Sequence, residues 1–182
     1  MPPRLFPKYL NQNHPKMLTG LILLLLAGLI SCAREAVPVI KAPAGERKES
    51  SAPSGYERQL ARLVNEERDR RRLSTLAFSP LLARVAENHS RDMVRQRFFS
   101  HTNPEGLGTE ERINRAGYLW RAYGENIGCG QDAPEKIMAA WMKSSSHRGN
   151  ILSPSYSEIG IGFVTGGECR YYWTGLFARP LK

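Results

Sequence analysis

The spacing of the apolar residues changes once along this chain, and that change limits the folds open to it. From Tyr56 to about residue 144 most of them recur at helical intervals, Arg121 to Gly130 excepted; from Glu158 onward they run in strands. Tyr56, Leu60, Leu63 and Val64 fall on one stripe of a helix expected over Tyr56 to Arg72, with Glu66, Glu67, Arg68 and Asp69 on its other faces. Ser79-Pro80 opens a second helix, serine as cap and proline in the first turn. Its apolar row is Leu82, Val85, Ala86, His89 and Met93, so His89 reads as a packed, hydrogen-bonded core histidine. Thr109 is expected to cap a short helix, Glu110 to Ala116, closed by Gly117. Asp132 caps another that runs to about Ser144 and buries Ile137 and Trp141. Arg121 to Gly130 reads as a strand or strand edge, and Ser145 to Pro154 as a loop. Glu158 to Val164 and Arg170 to Phe177 read as strands joined in a hairpin through Thr165-Gly166-Gly167-Glu168. Helices first and strands last, without regular βα alternation, argue for an α+β fold with an antiparallel sheet covered by helices.

Before this domain lies a different kind of sequence. Leu18 to Ile30 is apolar except for Thr19 and follows a basic segment; it is short for a bilayer crossing and suits a signal-peptide core. Its end, Leu29-Ile30-Ser31-Cys32, resembles the lipobox of bacterial lipoproteins. That resemblance implies a leader over 1–31, cleavage after Ser31, and lipid on Cys32 that holds the chain to a membrane. Met1 and Met17 are both possible starts. Residues 32–55 carry Pro38, Pro43 and Pro53 with small and charged residues and no period; they read as a disordered tether with a reach of about 25–30 Å. The folded domain is expected over 56–181.

The formal net charge of the chain is +9, and loss of the leader's Arg4, Lys8 and Lys16 leaves +6. Arg68, Arg70, Arg71 and Arg72 form the densest basic cluster. It lacks interleaved aromatics and any nucleic-acid motif, so nucleic-acid binding is not expected. Of the three cysteines, Cys32 is accounted for by lipidation. Cys129 and Cys169 stand at the ends of two expected neighbouring strands, in a compartment that permits oxidation, and are read as a disulfide.

Three segments carry proton-handling residues beside apolar or small neighbours. They are Phe98-Phe99-Ser100-His101-Thr102, Gly124-Glu125-Asn126-Ile127, and Ser146-His147-Arg148-Gly149-Asn150-Ile151-Leu152. Phe98 and Phe99 are expected to pin the first segment into the core and fix where His101 points. Two imidazoles and a carboxylate make either a hydrogen-bonded cluster or a zinc site with an open position. Ser100 and Ser146 adjoin the histidines, but neither lies in a nucleophile-elbow sequence.

These segments, with Leu63-Val64-Asn65-Glu66-Glu67-Arg68, Gly117-Tyr118, Trp141, Glu158-Ile159-Gly160-Ile161-Gly162 and Tyr172-Trp173-Thr174, occur in one order over Tyr56 to Pro180. In that order they resemble the bacterial branch of the CAP superfamily (cysteine-rich secretory proteins, antigen 5 and pathogenesis-related proteins), also called the SCP domain. The resemblance implies a three-layer α-β-α sandwich and a cleft lined by histidines and acidic residues. Eukaryotic members have a glutamate where Ser144 stands here, and their later histidine and glutamine are absent around Tyr172-Trp173-Thr174-Gly175. His101 and Glu125 carry over directly; His147 replaces the missing histidine, and Glu158 is a candidate second acid. Asn126 and Tyr172 complete the expected cleft, and His101, His147 and Glu125 are the candidate ligands for Zn2+. The expected protein is a monomeric, extracytoplasmic, envelope-anchored module whose cleft binds a small ligand, lipid or wall component. A zinc-assisted hydrolase of protein or wall, and a non-catalytic interaction domain, are the two alternatives.

Overall fold

A computed structural model describes residues 55–181. The leader, Cys32 and the tether as far as residue 54 lie outside the described residues. Five helices and four strands follow in the order α1 (Gly55–Asp69), β1 (Ala77–Phe78), α2 (Pro80–Gln96), α3 (Thr109–Arg115), β2 (Trp120–Cys129), α4 (Pro134–Lys143), α5 (Ser145–Leu152), β3 (Glu158–Gly166) and β4 (Arg170–Pro180). The sheet order is β1-β3-β4-β2. The three long strands are antiparallel, and the two-residue β1 adds a parallel pairing on β3. One face of the sheet packs on α1, α4 and α5 through Leu60, Val64, Ile137, Trp141, Ile151, Ile159, Trp173 and Phe177. The other packs on α2 and α3 through Leu82, Val85, Ala86, Ile113, Leu176 and Ala178. The result is the three-layer α-β-α sandwich expected from the sequence.

The central layer is held close to α2 by two glycines. A Cβ at Gly160 would strike the backbone at Leu82 and Ala83, and one at Gly162 the backbone at Ala86 and Glu87. The helix backbone therefore lies directly on β3, which only a residue without a side chain permits. Cys129 and Cys169 form the expected disulfide, with Cα atoms 5.5 Å apart, tying the end of β2 to the turn before β4. Closing a span of 40 residues contributes about 4 kcal/mol in chain-entropy terms.

Several local expectations are corrected. Ser145 to Leu152 is a helix, α5, rather than a loop; its serines and Gly149 give it no apolar stripe, and Ile151 is the residue it buries. Arg68 does not stay with Glu66 and Asp69 on an outer face of α1. It is 1% exposed and donates to the carbonyls of Ser74, Ile151 and Ser153, each at 2.8 Å, joining the end of α1 to the end of α5. The cation thereby meets unpaired carbonyls at a helix C-terminus, where the macrodipole favours it. Only Phe98 is packed inward, beside Met93 and Tyr172; Phe99 is 48% exposed. The caps also differ. Ser79 occupies the cap of α2 without a side-chain bond, Gly108 replaces Thr109, and Ala133 replaces Asp132, whose carboxylate pairs with Lys136.

Gly162→Ala should lower the unfolding free energy by about 1–3 kcal/mol, the usual range for overpacking. Urea melts of the two proteins measure it, and an unchanged midpoint would refute the close approach of α2 to β3.

Candidate functional site

Strand β2 is an edge strand, and its alternation sorts the site residues between the two helical layers. Glu125 lies opposite Leu176 and faces α2 and α3; Asn126 lies opposite Gly175 and faces α5. His101 reaches the first face from the segment after α2, and His147 reaches the second from α5.

Glu125 is the centre. Its side chain is 2% exposed. Oε1 accepts from His101 Nδ1 at 2.7 Å and from Thr109 Oγ1 at 3.0 Å. Oε2 accepts from Arg112 Nη2 at 2.7 Å, and His89 Nε2 stands 4.0 Å from Oε1. Burial pushes the Glu125 carboxyl up, but the His101 hydrogen bond and the Arg112 charge outweigh it and hold it below the ordinary carboxylate range. The other arm of Arg112 reaches the backbone, where Nη1 donates to the carbonyls of His101 at 2.8 Å and Leu107 at 2.9 Å. One guanidinium thus fixes both the carboxylate and the loop that carries its imidazole partner.

The ring of His101 is 51% exposed although its Nδ1 is fixed inside. A carboxylate accepts, so Nδ1 carries the proton and Nε2 of the neutral ring is an outward-facing acceptor. His89 is buried as expected. Its Nε2 donates to the Ser100 carbonyl at 3.0 Å, and burial holds its pKa low. The pKa of His147 is also lowered, first by burial and then by the charge that His101 carries when protonated.

The second face is sewn to the strand edge. Asn126, fully buried, donates to the His147 carbonyl at 3.0 Å and accepts from Asn150 Nδ2 at 2.8 Å. Three outward carbonyls of β2 are met by side chains: Tyr123 by Tyr156 at 3.0 Å, Glu125 by Asn150 at 3.1 Å, and Ile127 by Trp141 at 3.1 Å. Their spacing of two is that of one edge of a strand.

The structure therefore joins His101 directly to Glu125 and sets Asn126 beneath His147. Glu158 lies apart, accepting the Tyr118 hydroxyl at 3.0 Å. Tyr172 is 3% exposed in a cluster with Met93 and Ile127. Arg112 and the role of Thr109 escape sequence reading. Their spacing of three on a short helix, which places both on one face, is the available signal.

Among the described residues zinc has no complete set of donors. No group of three or more His, Cys, Asp or Glu side chains among them could share an ion. Both oxygens of Glu125 are already engaged, which leaves two imidazoles where a catalytic zinc takes three protein ligands. Ser100 Oγ accepts from the Thr102 N–H at 3.2 Å, and Ser146 Oγ pairs with Ser144 Oγ at 3.1 Å. Neither hydroxyl is bonded to an imidazole.

Stability should decline with acid in two stages. An unfolded histidine takes a proton below about pH 6.5, whereas the folded His89 and His147 resist it, so stability falls as pH drops from there toward their lowered folded values. The Glu125 contribution is complete above its unfolded value of about 4.3 and is lost below that as pH falls through the depressed folded value. Urea melts between about pH 8 and pH 4 should show both slopes. His89→Gln should flatten the first, and a wild-type midpoint constant from pH 7 to pH 5 would contradict the assignment.

The fold has counterparts. The model of the cysteine-rich secretory protein family, CAP, matches residues 61–177, more than half of the chain. The uncharacterized protein YkwD of Bacillus subtilis is 36% identical over 143 residues, covering 75% of this chain and 54% of the relative. The uncharacterized membrane protein YlbC of the same organism is 28% identical, covering 68% of this chain and 34% of its own length. The chain thus spans about half of one curated relative and a third of the other. An extracellular SCP-domain protein from Bacillus anthracis superposes with a TM-score of 0.62 at 30% identity, over 69% of this chain and 40% of its own. An outer surface protein of Borrelia burgdorferi shares the fold, with a TM-score of 0.64 at 20% identity, over 68% and 92% of the two chains. With the family's pattern running through both helical layers and the sheet between them, this chain belongs to the cysteine-rich secretory protein (CAP) family.

Proposed function

We propose that this chain is an extracytoplasmic CAP-domain binding module, tethered to a bacterial envelope through lipid on Cys32, that presents His101 and His147 to a small ligand, lipid or wall component. One observation carries the reading. His101 is half-exposed, yet its Nδ1 is locked by a 2.7 Å bond to a buried carboxylate. A surface imidazole ordinarily loses rotamer freedom on binding. Here the orientation is set beforehand, and Nε2 is offered as an acceptor for a hydroxyl, amide or ammonium donor. Structural neighbours described as extracellular and outer surface proteins support the location. The apolar run ending at Cys32 supports the anchor.

A second reading has one observation in its favour. A carboxylate-oriented imidazole is also a general base, able to activate a water held at Nε2. No hydroxyl among the described residues is bonded to that nitrogen, so hydrolysis on this reading proceeds through water and not through a serine ester.

Imidazole 1H–15N spectra recorded while solubilised wall fragments or lipids are added should show shifts at His101 and His147. His101→Gln, which keeps an N–H donor for Glu125 but removes the imidazole, should abolish the response with the melting temperature kept within a few degrees. Imidazole signals of the wild type indifferent to every addition would reduce the site to a structural cluster. The anchor is checked separately: palmitate labelling in a bacterial host should be lost in Cys32→Ala, and equal labelling of both chains would refute it.

A further inference from the structure

The other end of β2 holds two arginines. Trp120 pairs with Pro180 and Ala122 with Arg179, and the register shifts across Arg121, which is therefore the inserted residue of a bulge. A bulge re-aims the side chain it inserts. Arg121 and Arg179 are both exposed, and with Ser157 and Pro180 they line a cavity of about 320 Å³. Ser157 is fixed there by its N–H, which donates to the Ala178 carbonyl at 2.9 Å.

The charge of this pair is not answered from within the domain. Arg62, Arg70, Arg71, Arg95 and Arg112 each meet a carboxylate. Among the described residues Arg121 and Arg179 meet none, and neither do Arg72, Arg84, Arg97, Arg115, Arg148 and Arg170; what sets Arg121 and Arg179 apart is that they line one cavity together. The acid adjoining Ser157 does not serve them. Glu158 lies opposite Ala178, faces α2 and accepts from Tyr118, while strand alternation turns Arg179 to the other face. Like charges on adjacent strands repel. A bulge that brings a second arginine beside the first, over a cavity, makes sense with an anion between them.

We propose that this cavity binds a phosphate oxyanion, the guanidinium groups of Arg121 and Arg179 clasping its oxygens and the Ser157 hydroxyl donating a third hydrogen bond. A guanidinium fork matches phosphate oxygens two at a time. A planar carboxylate would be satisfied by one such fork, whereas three donors from three chain segments suit a tetrahedral group. The site is independent of His101: Arg121 lies four residues before Glu125, about 13 Å along the strand. Phosphate of this kind is carried both by soluble phosphate esters and by lipid headgroups.

The test uses the chain with Cys32→Ala throughout, so that no lipid on Cys32 carries it to a vesicle. Inorganic phosphate is titrated in by calorimetry at low ionic strength, and co-sedimentation is measured with phosphatidylglycerol and with phosphatidylcholine vesicles. Arg121→Gln/Arg179→Gln is compared with Arg70→Gln/Arg71→Gln, which removes the same charge from the turn after α1. Phosphate affinity should fall at least about tenfold in the first variant and stay within about twofold in the second. Because both arginines are exposed, the melting temperature should not change. Loss of vesicle binding in the first variant alone assigns the phosphate to a lipid headgroup. Phosphate binding without any such vesicle difference assigns it to a soluble ester. Equal loss in both variants, or no phosphate binding by the Cys32→Ala chain that carries neither, overturns the proposal.

Discussion

A carboxylate removed from water and given nothing in return would destabilise this domain by several kcal/mol. Glu125 is removed from water, and the segment between α2 and β2 is arranged to answer it. Thr109 and Arg112 approach from α3, His101 from the preceding loop, and His89 from α2. That segment contains one short helix and buries few large apolar side chains: Ile113 inside, Tyr118 at its end. It is organised more by this polar cluster than by hydrophobic packing. The imidazole that reaches solvent is one spoke of the cluster, so its direction is fixed by the same interactions that hold the loop.

The two histidines approach the edge of the sheet from different layers. His101 belongs to the α2 side and bonds through its ring; His147 belongs to the α5 side and is placed through its backbone, by Asn126. Because β2 is the outermost strand, no further strand separates them. Asn126 and Glu125, adjacent in sequence, point in opposite directions and so serve the two layers separately. Arg68 supports this from a distance, since its guanidinium holds the end of the helix that carries His147 and Asn150.

Much of this was legible in the chain. The helical stripes of α1 and α2, the β3–β4 hairpin and the Cys129–Cys169 bridge follow from spacing and residue type, and His89 falls on its core row. What escaped has a physical cause in each instance. Helix α5 has no apolar face because it is held by Asn150, by Asn126 and by Arg68 rather than by a stripe. Arg68 looks like solvated charge until the carbonyls around it are seen. Thr109 looks like a cap because threonine favours that position, but its hydroxyl is drawn to Glu125, and glycine takes the cap instead. In all three, a long-range polar contact overrides a local preference, and period and propensity are blind to such contacts.

The Trp141, Asn150 and Tyr156 side chains, as partners of alternate β2 carbonyls, bear on how these molecules behave at high density. An open strand margin is a template on which a neighbour's backbone can zip, the route to swapped dimers and fibrils. Here one margin is plugged by three side chains from other parts of the chain, and the opposite margin ends in the two-residue β1. A neighbour's strand meets those three β2 carbonyls already occupied, which removes one template for pairing sheet to sheet between copies.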